Sequence, residues 1–150
     1  MPGEDAEILR RFCDAVVDLP ERELAALYRE AFACGDRLSL SLSSRGGVGA
    51  AHDPAISPVR WERLYRLHGW RSPVGEAPDF LPSVLEFTAC RPVPGRLAME
   101  AYLGRLDLLR VSLSQRQSPY ADVLAAVCTA LRRPPHTPRS VSTARRRRLN

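Results

Sequence analysis

Four cysteines, three histidines and 17 acidic side chains carry most of the chemistry that this 150-residue chain can offer. Cys13, Cys34, Cys90 and Cys128 fall about one per segment with no C-x-x-C pair, a spacing that fits neither a zinc ribbon nor a redox dithiol. They are expected to be reduced, buried thiols. His68 shares a helical face with Trp61, Leu64 and Tyr65, which reads as a hydrogen-bonded core or edge histidine, whereas His52 and His136 fall in loops. With no His, Cys and carboxylate cluster at ligand spacing, neither a metal nor a cofactor is expected. No nucleophile stands beside a base, and no Gly-rich loop follows a strand, so the pattern is not that of an enzyme.

Recognition chemistry remains, and it concentrates in Glu76-Ala77-Pro78-Asp79-Phe80-Leu81-Pro82, an acidic, proline-bracketed turn that runs into the apolar Ser83-Val84-Leu85-Glu86-Phe87. Asp79 is placed to cap the first-turn amides of a helix, and Pro82 near the start costs little because those amides lack partners inside the helix. Glu86 follows Asp79 by seven residues, about two helical turns, so both are expected near one face. Glu76, Asp79 and Glu86 would then flank an apolar groove for a partner peptide, with Pro78, Phe80, Tyr28 and Phe32 as further candidates for its lining. The competing role for each is structural: a cap for Asp79, a solvated charge for Glu86, and core packing for the aromatics.

The elements that must position these residues read as helices. Ile8, Leu9, Phe12, Val16 and Leu19 recur at helical spacing and stop before Pro20, and a second stripe carries Leu24, Leu27, Tyr28, Ala31 and Phe32. Ser57-Pro58 opens a third helix that stops at Gly69. The fourth runs from Phe80 to about Cys90, and Pro92 to Gly95 reads as the break after it. A longer fifth helix carries Met99, Tyr102, Leu103, Leu106, Leu109 and Leu113. Ser118-Pro119 starts the sixth, with Tyr120, Val123, Leu124, Val127 and Leu131 along one side. Arg37 to Ser43 alternates with period two, yet no second run offers it a strand partner, so a short helix or irregular segment is expected there. Residues 45–51 read as a Gly-rich loop.

The expectation is an all-α single domain over 1–133, a bundle of about six helices, followed by a basic, disordered tail over 134–150. The net charge of +5 sits at the C-terminal end: seven of the 22 basic residues lie from Arg132 onward and every acid precedes them, leaving 15 arginines against 17 acids in residues 1–131. A mildly acidic body argues against a nucleic-acid-binding fold. No apolar run approaches the ~18 residues of a membrane span and the N-terminus is acidic, so a cytoplasmic protein without membrane insertion is expected.

Three segments together resemble the respiratory nitrate reductase delta subunit family, the NarJ-type molybdenum-cofactor assembly chaperones of the all-helical TorD-like group. They are Leu27-Tyr28-Arg29-Glu30-Ala31-Phe32 with Arg37-Leu38-Ser39-Leu40, the Glu76 to Pro82 turn with Leu85-Glu86-Phe87, and Gln115-Arg116-Gln117-Ser118-Pro119-Tyr120-Ala121. The resemblance covers about residues 10–131. It departs from the family in starting late and in a Gly/Ala-rich substitution over 43–57. It implies a dedicated chaperone that binds the N-terminal segment of the immature catalytic (alpha) subunit of nitrate reductase and assists molybdenum cofactor insertion. A homodimer is compatible with it. The alternative readings are a nucleic-acid or membrane-surface adaptor working through the arginine tail, and a non-functional, shortened remnant of the chaperone family.

Overall fold

A computed structural model describes residues 3–32, 39–43 and 57–134. These form α1 (Glu4–Val16), α2 (Glu21–Phe32), α3 (Pro58–Leu67), α4 (Leu81–Cys90), α5 (Pro92–Glu100), α6 (Leu103–Gln115) and α7 (Tyr120–Arg132). The all-α expectation holds, with seven helices among the described residues in place of six. Cys34, His52, His136, the 45–51 loop and the arginine run from Arg145 lie outside the described residues. No helix among those described is long and apolar enough to cross a membrane.

Prolines set most helix starts. The Pro20 carbonyl accepts the first amides of α2, from Glu23 and Leu24, Pro58 opens α3 behind Ser57, and Pro82 sits in the first turn of α4. Gly69, at φ +63°, follows the C-cap of α3 and lets the chain leave the helix in a conformation that a side chain would resist.

Two sequence expectations change in the middle of the chain. Pro92 to Gly95 is no break but the first turn of α5: Arg91 is the N-cap, and Pro92 and Pro94 occupy positions whose amides have no intrahelical partner. Gly95 makes the first intrahelical bond, to the Arg91 carbonyl at 3.0 Å. The long helix expected after it is split at Ala101 and Tyr102. Tyr102 leaves the helical region (φ −103°, ψ 2°), and its buried hydroxyl accepts the Trp61 indole N–H at 3.1 Å.

The core lies where α3 to α7 converge. Trp61 and Tyr65 of α3, Val84 and Phe87 of α4, Met99 of α5, Leu106 and Leu113 of α6, and Leu124 and Cys128 of α7 are all buried. Each such side chain contributes on the order of 1.5–3 kcal/mol on leaving water. α7 has α6 on one side and α1 on another. The C-terminal carbonyls of α7 are covered by Arg96 of α5, whose guanidinium donates to Ala130 O at 2.8 Å, Leu131 O at 3.2 Å and Arg133 O.

Asp79 does not cap α4. The N-cap is Phe80, and no side chain bonds the first-turn amides. The Asp79 side chain turns the other way and is 1% exposed. Its carboxylate accepts the Ser41 hydroxyl and, at 2.8 Å, the Ser43 backbone N–H. The Asp79 carbonyl accepts Leu42 N–H at 3.0 Å, and Leu81 N–H donates to the Leu40 carbonyl at 2.9 Å. Ser41 and Phe80 thus form an isolated antiparallel bridge. The alternating segment found its partner in the turn before α4, a pairing too short to be a strand. Arg105 of α6 completes the knot, donating to the Ser41 carbonyl at 3.0 Å. Burial lowers the Arg105 pKa, and the Asp79 charge opposes that shift.

The thiol expectation is half corrected. Cys128 is buried, and burial, reinforced by the Asp107 charge, pushes its pKa up to about 11. Cys13 and Cys90 are exposed, because each lies on the outer side of an amphipathic helix. In the native protein at neutral pH, a thiol reagent is expected to modify Cys13 and Cys90 rapidly and Cys128 only after unfolding, as read by peptide mass spectrometry.

Asp79→Ala strips partners from the Ser41 hydroxyl and the Ser43 amide and removes a carboxylate charge that acts on half-buried Arg105, so urea unfolding is expected to show a loss of roughly 3 kcal/mol. A loss under about 1 kcal/mol would mean that the segment is held by something else. Gly95→Ala is expected to cost about 1–3 kcal/mol, because a Cβ there falls 2.6 Å from the Thr88 Cα and forces α4 and α5 apart. Thermal denaturation checks it, and an unchanged midpoint would show that the two helices separate freely.

Candidate functional site

Tyr28 and Phe32 lie one turn apart on α2 and therefore point the same way. There they meet Tyr120, the first residue of α7. The ring centroids of Tyr28 and Phe32 are 5.1 Å apart, and Tyr120 sits 6.0 Å from Tyr28 and 5.2 Å from Phe32, edge-on to both. Phe12 of α1 joins from the far side, 5.3 Å from Tyr120. Four aromatic rings thus tie α1, α2 and α7 together at separations favourable for edge-to-face and tilted contacts. The cluster is not sealed: Tyr28 remains 43% exposed.

A cleft of about 560 Å³ is lined by Ala15 of α1, Leu27 of α2, Ser114, and Gln117, Ser118, Pro119, Ala121 and Asp122 of the turn into α7. That turn has a defined construction. Gln117 adopts φ 54°, its N–H donates to Ser114 O at 2.9 Å, and Ser118 N–H reaches back to Leu113 O at 3.0 Å. This is the Schellman ending of a helix with glutamine where glycine usually sits. The Ser118 hydroxyl is buried there without a hydrogen-bond partner. At the rim Arg11 pairs with Asp122 at 3.0 Å. The pair is largely exposed, so it contributes little and exchanges readily for another cation on Asp122.

The second region surrounds the acidic turn. Glu76 is exposed, and its carboxylate accepts the Ser83 hydroxyl, closing the turn over the start of α4. The Tyr65 hydroxyl donates to the Pro78 carbonyl at 2.7 Å, anchoring the turn to α3. Burial, reinforced by the Asp79 charge, pushes the Tyr65 pKa upward, so this phenol stays a donor. Tyr65, Trp70 and Phe87 meet in edge-on and tilted contacts, with 4.5 Å between the Tyr65 and Trp70 ring centroids. Beside them a cleft of about 590 Å³ is lined by Glu62, Tyr65, Arg66, Gly69, Trp70, Arg71, Ser72 and Pro78.

The sequence candidates therefore fall into two groups. Glu76, Pro78, Asp79 and Phe80 share the turn before α4, and Tyr28 and Phe32 share the aromatic cluster at the other end of the fold. Glu86 is exposed on α4 and joins neither. Asp79 and Glu86 do not present a common acidic face, since Asp79 precedes the helix and is buried against Ser41 and Ser43. Phe12 and Tyr120 complete the cluster; spacing placed both on apolar helix faces but did not mark them as candidates for the site. Tyr120 stands in the Gln115 to Ala121 motif, which was the available signal. Among the described residues, no group of three His, Cys, Asp or Glu side chains is arranged to hold a metal ion.

No protein-family model matches the chain. Over 127 residues, 84% of its length, it is 31% identical to the nitrate reductase-like protein NarX of Mycobacterium tuberculosis, in strains CDC 1551 / Oshkosh and H37Rv alike. The chain spans 19% of the length of those curated relatives. The all-helical domain described above is thus a distant relative of one region of a longer nitrate reductase-like protein.

Proposed function

We propose that this chain is a dedicated chaperone for a respiratory nitrate reductase, binding the N-terminal segment of the immature catalytic subunit and keeping that subunit competent for molybdenum cofactor insertion and assembly. The observation that carries the reading is the similarity to a nitrate reductase-like protein over 84% of the chain. It is supported by the helical architecture and by an open cleft bounded by α2 beside a half-exposed aromatic cluster.

In this reading the client segment docks as an amphipathic helix. Apolar side chains enter between Ala15, Leu27 and Pro119, and the Tyr28 ring covers one edge. A basic client residue takes Asp122 from Arg11. The work is binding and release, and no covalent step is assigned to any residue of the chain.

Calorimetry with a peptide of the catalytic subunit's N-terminal segment tests it. Binding is expected to weaken about tenfold or more (~1.4 kcal/mol) for Leu27→Asp and for Tyr28→Ala, with circular dichroism unchanged. Deleting residues 135–150 is expected to leave the affinity intact. Absence of peptide binding, or affinity that disappears with the basic tail, would overturn the reading in favour of an adaptor acting through its arginines.

A further inference from the structure

The two clefts described above lie in regions of opposite charge. Residues 1–32 hold eight acids against four arginines, whereas residues 57–75 hold four arginines against one acid. The cleft lined by Leu27 and Pro119 belongs to the acidic region and has Asp122 at its rim. The cleft of about 590 Å³ at the C-terminal end of α3 belongs to the basic region and has Arg66 and Arg71 in its lining. A basic peptide residue suits the first and is repelled by the second, which suits an anion.

The lining of the second cleft is prepared for such a group. Its one acid, Glu62, meets Arg66 at 3.6 Å one helical turn away, and both side chains are largely exposed. The pair is therefore weak, and Arg71 is left as the net charge. Arg71 is exposed and makes no ion pair among the described residues. The neighbouring Ser72 hydroxyl is buried without a hydrogen-bond partner among those residues, and a χ1 turn of so small a side chain offers it to an acceptor in the cleft. Trp70 supplies a fixed apolar wall. Its ring is edge-on to Tyr65 at 4.5 Å and to Phe87 at 5.6 Å, and its backbone N–H donates to the Tyr65 carbonyl at 2.9 Å. Anchored Trp and Tyr beside Arg is the composition of interface hot spots.

The shape of the cleft decides the class of the anion. Glu62, Arg66, Gly69 and Arg71 are all exposed along it, and a Cβ built on Gly69 meets nothing within 4 Å. A site so open does not enclose the roughly 70% or more of its surface that a small ligand buries. A peptide, by contrast, needs only its side chains inside. We infer that this cleft is a second docking site, taking an acidic peptide segment of a partner protein, with one carboxylate on Arg71 and a neighbouring apolar side chain against Trp70. It shares no residue with the cleft lined by Leu27 and Pro119, so its failure and that of the chaperone reading are separate results.

Titration of isotope-labelled protein with the peptide acetyl-Asp-Phe-Asp-Leu-amide, followed by NMR, tests it. The Trp70 indole N–H and the amides of Gly69, Arg71 and Ser72 are expected to shift while those of Gln117, Ser118 and Asp122 stay, with a dissociation constant below about 1 mM. Affinity is expected to fall as salt is added. Arg71→Glu, at an exposed position, is expected to keep its thermal midpoint and bind about tenfold more weakly or worse, and the asparagine analogue of the peptide is expected to lose as much on wild-type protein. A peptide that moves none of the cleft resonances, an asparagine analogue that binds equally, or an Arg71→Glu variant that binds like wild type would each overturn the site. Benzoate bound there as tightly as the peptide would also overturn it, making the cleft a pocket for small anions.

Discussion

A carboxyl group taken out of water must find hydrogen-bond partners inside the protein, and Asp79 meets that requirement by reaching across the chain rather than along it. Its acceptor oxygens take the Ser41 hydroxyl and the Ser43 amide, and Arg105 supplies a partly desolvated cation that bonds the Ser41 carbonyl. Residues 39–43 are thereby fixed between α4 and α6. The same turn is held from behind by the Tyr65 hydroxyl on Pro78 O and closed in front by Ser83 on Glu76. Three helices are tied together at one buried side chain and the backbone around it. Leu42, buried in the core, and Leu40, packed against it, hold the same segment from its apolar side.

The contrast between the two ends of the fold follows from where burial is spent. In α3 to α7 the apolar stripes face one another, and Trp61, Phe87, Met99 and Leu106 are sealed from solvent. In α1 only Ile8 is fully buried, and in α2 only Ala31. What holds α1 to α7 includes the Phe12–Tyr120 contact and two ion pairs, Arg11 with Asp122 and Arg133 with Asp5. Exposed pairs of this kind contribute little and are screened by salt. α1 nevertheless packs along α7, so local opening should begin at α2, while the α3–α7 core stays closed.

How much of this was legible in the sequence depends on the distance over which each residue acts. Helix existence and type came from apolar spacing, and the starts at Pro58 and Pro82 and the stop at Gly69 came from backbone chemistry confined to a few residues. Pro92 and Pro94 were misread as a break because the same residue type serves a turn and a first helical turn, and only the Arg91 N-cap distinguishes them. The split at Tyr102 depends on Trp61, 41 residues away, which no local pattern reports. Asp79 failed for the same reason. A capping role needs only its neighbours, whereas its real partners lie 36 and 38 residues upstream. Of the candidate site, Tyr28 and Phe32 were visible as a helical pair, but their assembly with Phe12 and Tyr120 required the packing of α1 and α2 on α7.

These constraints bear on where a partner can bind at low cost. A groove made by separating α3 from α4 would break the Tyr65 to Pro78 hydrogen bond and uncover Phe87, a loss of several kcal/mol before any contact with the partner is made. Movement of α2 over the cleft lined by Leu27 and Pro119 uncovers one fully buried alanine and an aromatic cluster already open to water at Tyr28. The Ser118 hydroxyl, buried without a partner in that wall, has a hydrogen bond to gain from an incoming polar group. The rigid knot and the loose helix are complementary. Because Asp79 fixes the body of the fold, α2 can yield without the rest following, and that division of stability is what a protein needs if it is to accept a client segment and release it intact.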